Sequence, residues 1–168
     1  MEINTFISRL EEVRDIGRIE NGYSHIIYNV MYDDVLESEY MLVDVSTYKR
    51  TKNKQPINQD FLGENPCAVP DFVIIKKIKS LSEQVSRLGC IEVKYKDVDV
   101  NGARNSGENG YLKIYNNHVI YTNGWIWNYY NGKDPKRNWE VDFRPDENRT
   151  QKKYDELISQ IKGIKWSE

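Results

Sequence analysis

Apolar positions set the outline of the chain. Ile3, Phe6, Ile7, Leu10 and Val13 recur at helical spacing and predict an amphipathic helix over 3–15. Asn21-Gly22 interrupts the pattern. A second helix is then expected over 24–38, with Ile26, Ile27, Val30, Met31 and Leu36 inward. Met41 to Val45 and Phe72 to Ile75 are short continuous apolar runs of strand type, separated by a polar stretch over 49–59 with no apolar period. Ile78, Leu81, Val85 and Leu88 fit a helix that Gly89 would stop, and the run Cys90 to Tyr95 returns to strand character. A helical turn is expected over 111–116. His118 to Tyr121 and Trp125 to Tyr130 flank Thr122-Asn123-Gly124, and Asn-Gly is a strong hairpin signal. Tyr154, Leu157, Ile158 and Ile161 make a C-terminal helix. The order predicts one α/β (α+β) domain: N-terminal helices over 1–38, a mixed sheet core over 41–130, and a closing helix over 147–165.

Composition narrows the function classes. At 168 residues, 39% hydrophobic and 30% charged, the chain is polar yet long enough for one substantial core. Twelve Tyr and four Trp are too many aromatics for a disordered chain. A net charge of −2 argues against coating nucleic acid by bulk charge, though not against a local basic cleft. Cys67, Cys90, His25 and His118 have no zinc-type spacing. No apolar stretch approaches the roughly 20 residues that span a bilayer, and 1–10 lacks a signal-peptide core. The expected setting is cytoplasmic, without a membrane partner.

The candidate chemistry lies on two strands. Asp71 enters the Phe72 run after Pro70, and the later run carries Glu92-Val93-Lys94. With 26 acidic residues, roughly two acidic-x-Lys triplets arise by chance in such a composition. Asp134-Pro135-Lys136 is the other triplet, read as a turn, and Pro145-Asp146 reads as a helix cap. Only Glu92 and Lys94 fall on an expected strand, where alternation sends both to one face. If the two strands are neighbours, Asp71, Glu92 and Lys94 meet at one end of a sheet. Carboxylate oxygens there suit Mg²⁺, with the Val93 carbonyl as a further ligand and Mn²⁺ as a substitute. Such a metal activates water against a phosphate, and Lys94 would orient that water or the phosphate. The plain alternative is a solvated Glu92–Lys94 pair with Asp71 capping a turn.

Pro70-Asp71 followed by Glu92-Val93-Lys94 resembles the signature of the PD-(D/E)XK nuclease superfamily. The segment from Gly110-Tyr111-Leu112-Lys113 through His118 to Thr122-Asn123-Gly124-Trp125 is similar to the N-terminal nuclease domain of type I restriction endonuclease subunits. In that family a Tyr-containing helix precedes a strand ending in Thr-Asn-Gly. The resemblance covers roughly 20–130. It implies a restriction-endonuclease-like core, a mixed sheet with flanking helices, and Mg²⁺-dependent cleavage of DNA phosphodiesters in restriction, defence or a mobile element. It also implies a first-helix carboxylate, best matched by Glu20, with Glu11 and Glu12 as competitors. The sequence departs from the family at 106–109, Ser-Gly-Glu-Asn, where a Gln is often found.

Two functions therefore stand from different classes. One is a metal-dependent endonuclease whose specificity comes from a homodimer or a partner subunit. The other is an inactive nuclease-fold protein that binds nucleic acid or a protein, in a regulatory or anti-defence role. Trp125, Trp127 and Tyr129 would stack on bases or, more ordinarily, pack under a helix. Lys76, Lys77 and Lys79 with Lys49, Arg50, Lys52 and Lys54 would follow a phosphate backbone or simply face solvent. His118 reads as a partly buried edge residue, and Lys113 as a possible reinforcement of the site.

Overall fold

The structure, a computed structural model, describes residues 1–16, 20–36, 39–46, 69–78, 80, 84–95, 118–132 and 134–166, with backbone alone at 20, 21 and 134–136. Its centre is a mixed six-stranded sheet. The strands are β1 (Tyr40–Asp44), β2 (Phe72–Lys76), β3 (Arg87–Val93), β4 (His118–Thr122), β5 (Ile126–Asn131) and β6 (Asp134–Asp142), and they lie side by side in sequence order. Among the described strands only β3 and β4 run parallel; every other neighbouring pair is antiparallel. Around the sheet are α1 (Ile3–Asp15), α2 (Glu20–Asn29) and α3 (Gln151–Lys162). This is a mixed α+β architecture consistent with a restriction-endonuclease-like core.

The two sheet faces carry different chemistry because side chains alternate along each strand. On the first face, Phe72, Ile91, Ile120, Tyr129 and Trp139 are successive register partners from β2 to β6. The α2 residue Tyr28 meets this row at Phe72, with ring centroids 6.2 Å apart. On the second face the equivalent row reads Glu92, Tyr121, Asn128 and Glu140. The first row is wholly apolar and aromatic, whereas the second carries Glu92, Asn128 and Glu140 beside buried apolar neighbours such as Val73 and Val119, and the candidate site lies on this second face.

Helix α1 buries Ile3, Phe6, Leu10 and Val13, the spacing read from sequence. Phe6 joins it to α3 and to the residue just after β6, with ring centroids 5.1 Å from Tyr154 and 5.3 Å from Phe143. Gly22 lets α1 and α2 cross closely, since a Cβ there would stand 2.9 Å from both Val13 methyls.

Several elements differ from expectation. Helix α2 starts at Glu20, widens into a π-helical turn over Val30–Val35, and ends there because Leu36 turns to extended backbone with ψ 124°. Among the described residues of the expected 78–88 helix, Ile78 and 84–86 are not helical and β3 already begins at Arg87. Gly89 is therefore no helix stop. It lies mid-strand under Trp166, whose ring would be 2.6 Å from a Cβ on it. Strand β6 was not expected, and it takes in the Asp134-Pro135-Lys136 triplet read as a turn. Pro135 is tolerated there because β6 is an outermost strand of the sheet, where a missing N–H costs no ladder bond. Thr150, not Pro145-Asp146, caps α3, its hydroxyl accepting from the Lys153 N–H at 3.3 Å. The expected turn at 111–116 and the polar stretch at 49–59 lie outside the described residues.

Candidate active site at the ends of β3 and β4

Strand β2 begins where β3 ends, so the antiparallel pair brings Asp71 beside Glu92. Phe72 is the register partner of Ile91, which places Asp71, the residue before β2, at the Glu92 end of β3. The Asp71 backbone is tied on both sides: its N–H donates to Ile91 O at 3.2 Å, and its carbonyl accepts from Val45 N–H at 2.9 Å. Its carboxylate Oδ2 accepts from the Val93 N–H at 2.7 Å. Both acidic residues are buried, Asp71 at 5% and Glu92 at 4% exposure. A carboxylate is rarely taken this far from water without a compensating charge or donor.

Lys94 supplies that charge for Glu92. Strand pairing of β3 stops at Val93, yet the alternation continues, and Lys94 Nζ lies 2.6 Å from Glu92 Oε1. The ammonium side chain is 30% exposed. The site thus has an inner carboxylate pair and a cation at its solvent side. The Lys94 backbone is fixed by donating to Thr122 O at 2.8 Å.

Thr122 belongs to a tightly bonded turn. Thr122 Oγ1 accepts from Gly124 N–H at 2.9 Å, and Asn123 Oδ1 accepts from Trp125 and Ile126 N–H at 3.1 and 2.9 Å. Gly124 takes φ +83°, the left-handed region open to glycine. A Cβ there would lie 2.4 Å from Leu10 of α1 and 3.6 Å from the Tyr23 ring of α2. The first turn of α2 therefore sits beside the turn that anchors Lys94.

Of the candidate residues, Asp71, Glu92, Val93 and Lys94 come together. Glu20 is the first residue of α2, and its side chain lies outside what is described. Glu11 pairs with Arg149 at 3.2 Å and Glu12 accepts from Ser8 at 3.3 Å; both act as helix-surface residues. Lys113, Lys79, Cys67 and the basic residues 49–54 are outside the described residues, whereas Lys76 and Lys77 are exposed at the end of β2. Trp125, Trp127 and Tyr129 are buried, and the Arg14 and Arg149 guanidinium groups lie over the Trp125 ring at 5.7 and 5.1 Å from its centroid. They pack rather than present open faces. His118 is buried on the inner strand β4, not at an edge, because β5 and β6 extend the sheet beyond it.

Sequence reading missed Tyr121 and Asn128. Both are buried on the same row as Glu92, and the Asn128 amide oxygen is 3.4 Å from Arg137, which also pairs with Glu140. Their parity with Glu92 follows once the β4–β5 hairpin register is known, which the Asn-Gly signal hinted at without fixing.

The donor set suits a hard cation: two buried carboxylates and the Val93 carbonyl are all oxygen ligands, with water able to complete the shell. Among the described residues no three acidic, His or Cys side chains cluster as a metal cage. A third side-chain ligand of these types would come from outside them.

No protein-family model matches the chain, and no curated protein matches its sequence. Among solved structures, the chain is similar to one in the cryoEM structure of a DrdV–DNA complex, with TM-score 0.61 and 16% identity. The likeness covers 97% of this chain and only 14% of that one. At such identity it is a likeness of fold. Among the described residues, no helix is long and apolar enough to cross a membrane.

Proposed function

We propose that this chain is the nuclease core of a metal-dependent DNA endonuclease of PD-(D/E)XK type. The observation that carries the reading is the burial of Asp71 and Glu92 at one end of the β2–β3 pair, with the Asp71 carboxylate on the Val93 N–H and the Lys94 ammonium on Glu92. The similarity to a chain from a DNA complex supports DNA as the substrate.

In this reading Asp71, Glu92 and the Val93 carbonyl hold Mg²⁺, with Mn²⁺ as a substitute and Glu20 as the outer carboxylate. Bound there, the ion would supply charge opposite a phosphate and a water of lowered pKa. The residues' own parts are separable. The Val93 N–H fixes the Asp71 carboxylate, the Thr122 carbonyl fixes the Lys94 backbone, and the Lys94 ammonium donates to whichever oxygen replaces Glu92 Oε1. A phosphate oxygen or the attacking water is that acceptor, and a flexible point charge suits the transfer. In this reading a second copy or a partner subunit contributes to sequence selection. The expected setting is the cytoplasm.

A second reading, a non-catalytic nuclease-fold protein that binds nucleic acid or a protein, is favoured by one contact. The 2.6 Å Glu92–Lys94 pair already neutralises the carboxylate that a metal would use.

Cleavage of supercoiled plasmid and single-stranded DNA with Mg²⁺ or Mn²⁺ separates the two. The nuclease reading expects wild-type cleavage that is lost in both Asp71→Ala and Lys94→Ala. No cleavage by wild type on either substrate, or equal cleavage by the variants, rejects it. Mn²⁺ should also raise the wild-type melting temperature by mass action, and leave Asp71→Ala unmoved.

A further inference from the structure

On the sheet face opposite Glu92, and at the other end of β4, lies a cavity of about 400 Å³. That size is within the usual range of small-molecule sites, roughly 300–1,000 Å³. Its floor is aromatic. Tyr129 stacks between His118 and Trp139, with ring centroids 6.0 and 5.4 Å away and interplanar angles of 10° and 27°. The column is held rigid by the 2.6 Å hydrogen bond between the Tyr129 hydroxyl and His118 Nδ1.

The opposite wall is polar. Helix α3 seals the core with Tyr154, Leu157 and Ile161, but its last turn turns Ser159 and Gln160 towards the cavity, and Lys165 stands on the rim. A helix laid on a sheet normally fills such a space with apolar side chains. Here Ser159 and Gln160 line the space opposite the aromatic residues instead. The last turn of a helix also carries the negative end of its dipole and carbonyls lacking helical donors, which favours ligands that bring N–H groups.

A flat ring with exocyclic amine donors meets all three demands: a face for Trp139, the partly buried ring that ends the aromatic column, an edge for Gln160, and N–H groups for the helix end. We propose that this cavity binds an amine-bearing nucleobase, adenine or cytosine, with Lys165 at the rim beside any attached phosphate. The base comes either from a free nucleotide or from a nucleic-acid strand. The site lies on the other face from Asp71 and Glu92 and does not depend on the cleavage reading.

Calorimetric titration of the full chain with adenosine, AMP, uridine, an oligo-dA and an oligo-dT tests it. Saturable binding of adenosine or AMP at millimolar concentration or below, with uridine weaker, supports a free-nucleotide source; binding of oligo-dA alone supports a strand source. Trp139→Ala should weaken either by about tenfold or more, the usual worth of base stacking. Gln160→Leu, on the helix surface, should relax the preference for adenosine over uridine while the protein stays folded. No saturation by any probe, no preference for the amine-bearing base, or full affinity in both pocket variants overturns the proposal.

Discussion

Glu92 Oε1 and Lys94 Nζ, two residues apart at the end of β3, form a 2.6 Å ion pair in which the carboxylate is buried and the ammonium partly open to solvent. The two partners are therefore unequal. Removing Lys94 leaves a buried charge without its cation, whereas removing Glu92 leaves a cation that can reach water. Lys94→Ala is expected to destabilise the fold by about 1–3 kcal/mol in urea denaturation at neutral pH. Glu92→Gln is expected to cost less, and the double variant less than the sum. Equal losses for the two single variants would show that the pair is only a surface contact.

Asp71 separates folding from chemistry in another way. Its Oδ2 accepts the buried Val93 N–H. Asp71→Asn keeps an oxygen to accept that bond and should retain most stability, while Asp71→Ala orphans the donor at a cost of about 1–3 kcal/mol. Under the nuclease reading both variants lose Mn²⁺-dependent stabilisation. A melting comparison with and without Mn²⁺ reads both effects at once. Retained Mn²⁺ stabilisation in Asp71→Asn would remove Asp71 from the metal site.

The same residues show what was legible in the sequence. Asp71, Glu92 and Lys94 were readable because strand alternation is strict and both runs were continuous and apolar. The Asn123-Gly124 turn was readable because few residues tolerate its backbone. Strand β6 was not, since only Trp139 and Val141 are apolar in its second half and its pairing with β5 is interrupted by register shifts beside Tyr130. The 78–88 segment misled because Val85 and Leu88 are three apart, a spacing that helix and bulged strand share. Leu88 is in fact buried on β3, whose pairing with β2 slips between Ile74 and Ile75. Asn128 and Tyr121 were invisible because membership in a row across strands depends on register, which no single strand encodes.

Gly124 tests the link between helices and site. Its φ of +83° and the 2.4 Å approach of Leu10 to a Cβ act together. Gly124→Ala is expected to cost about 2–4 kcal/mol, from left-handed strain and overpacking. Adding Leu10→Ala should recover part of the packing component but none of the strain. Gly163, the residue after α3, has φ −72° and only ordinary contacts at 3.4 Å. Gly163→Ala should be neutral or stabilising by about 0.4–1 kcal/mol. Urea midpoints for the two alanine variants should therefore move in different directions or by very different amounts; similar losses would mean the Gly124 turn is not under constraint.

Tyr129 links the aromatic column to pH. Burial pushes its phenol from 10.0 up to about 12, against a smaller downward pull from the Asn131 side chain. The native state thus keeps this proton when the unfolded chain has lost it. Stability from the neutral phenol is fully present below pH 10 and is lost as pH rises from about 10 through about 12. The whole loss amounts to about 3 kcal/mol if the full shift is realised. Tyr129→Phe removes the titration: its stability should start lower, because His118 loses the phenol hydrogen bond, yet fall less steeply across that window, by up to about 1.4 kcal/mol per pH unit. Urea denaturation of both proteins at pH 9, 10 and 11 measures the two slopes. Parallel slopes would mean that the Tyr129 hydroxyl ionises as it does in the unfolded chain, and that the column is open to water.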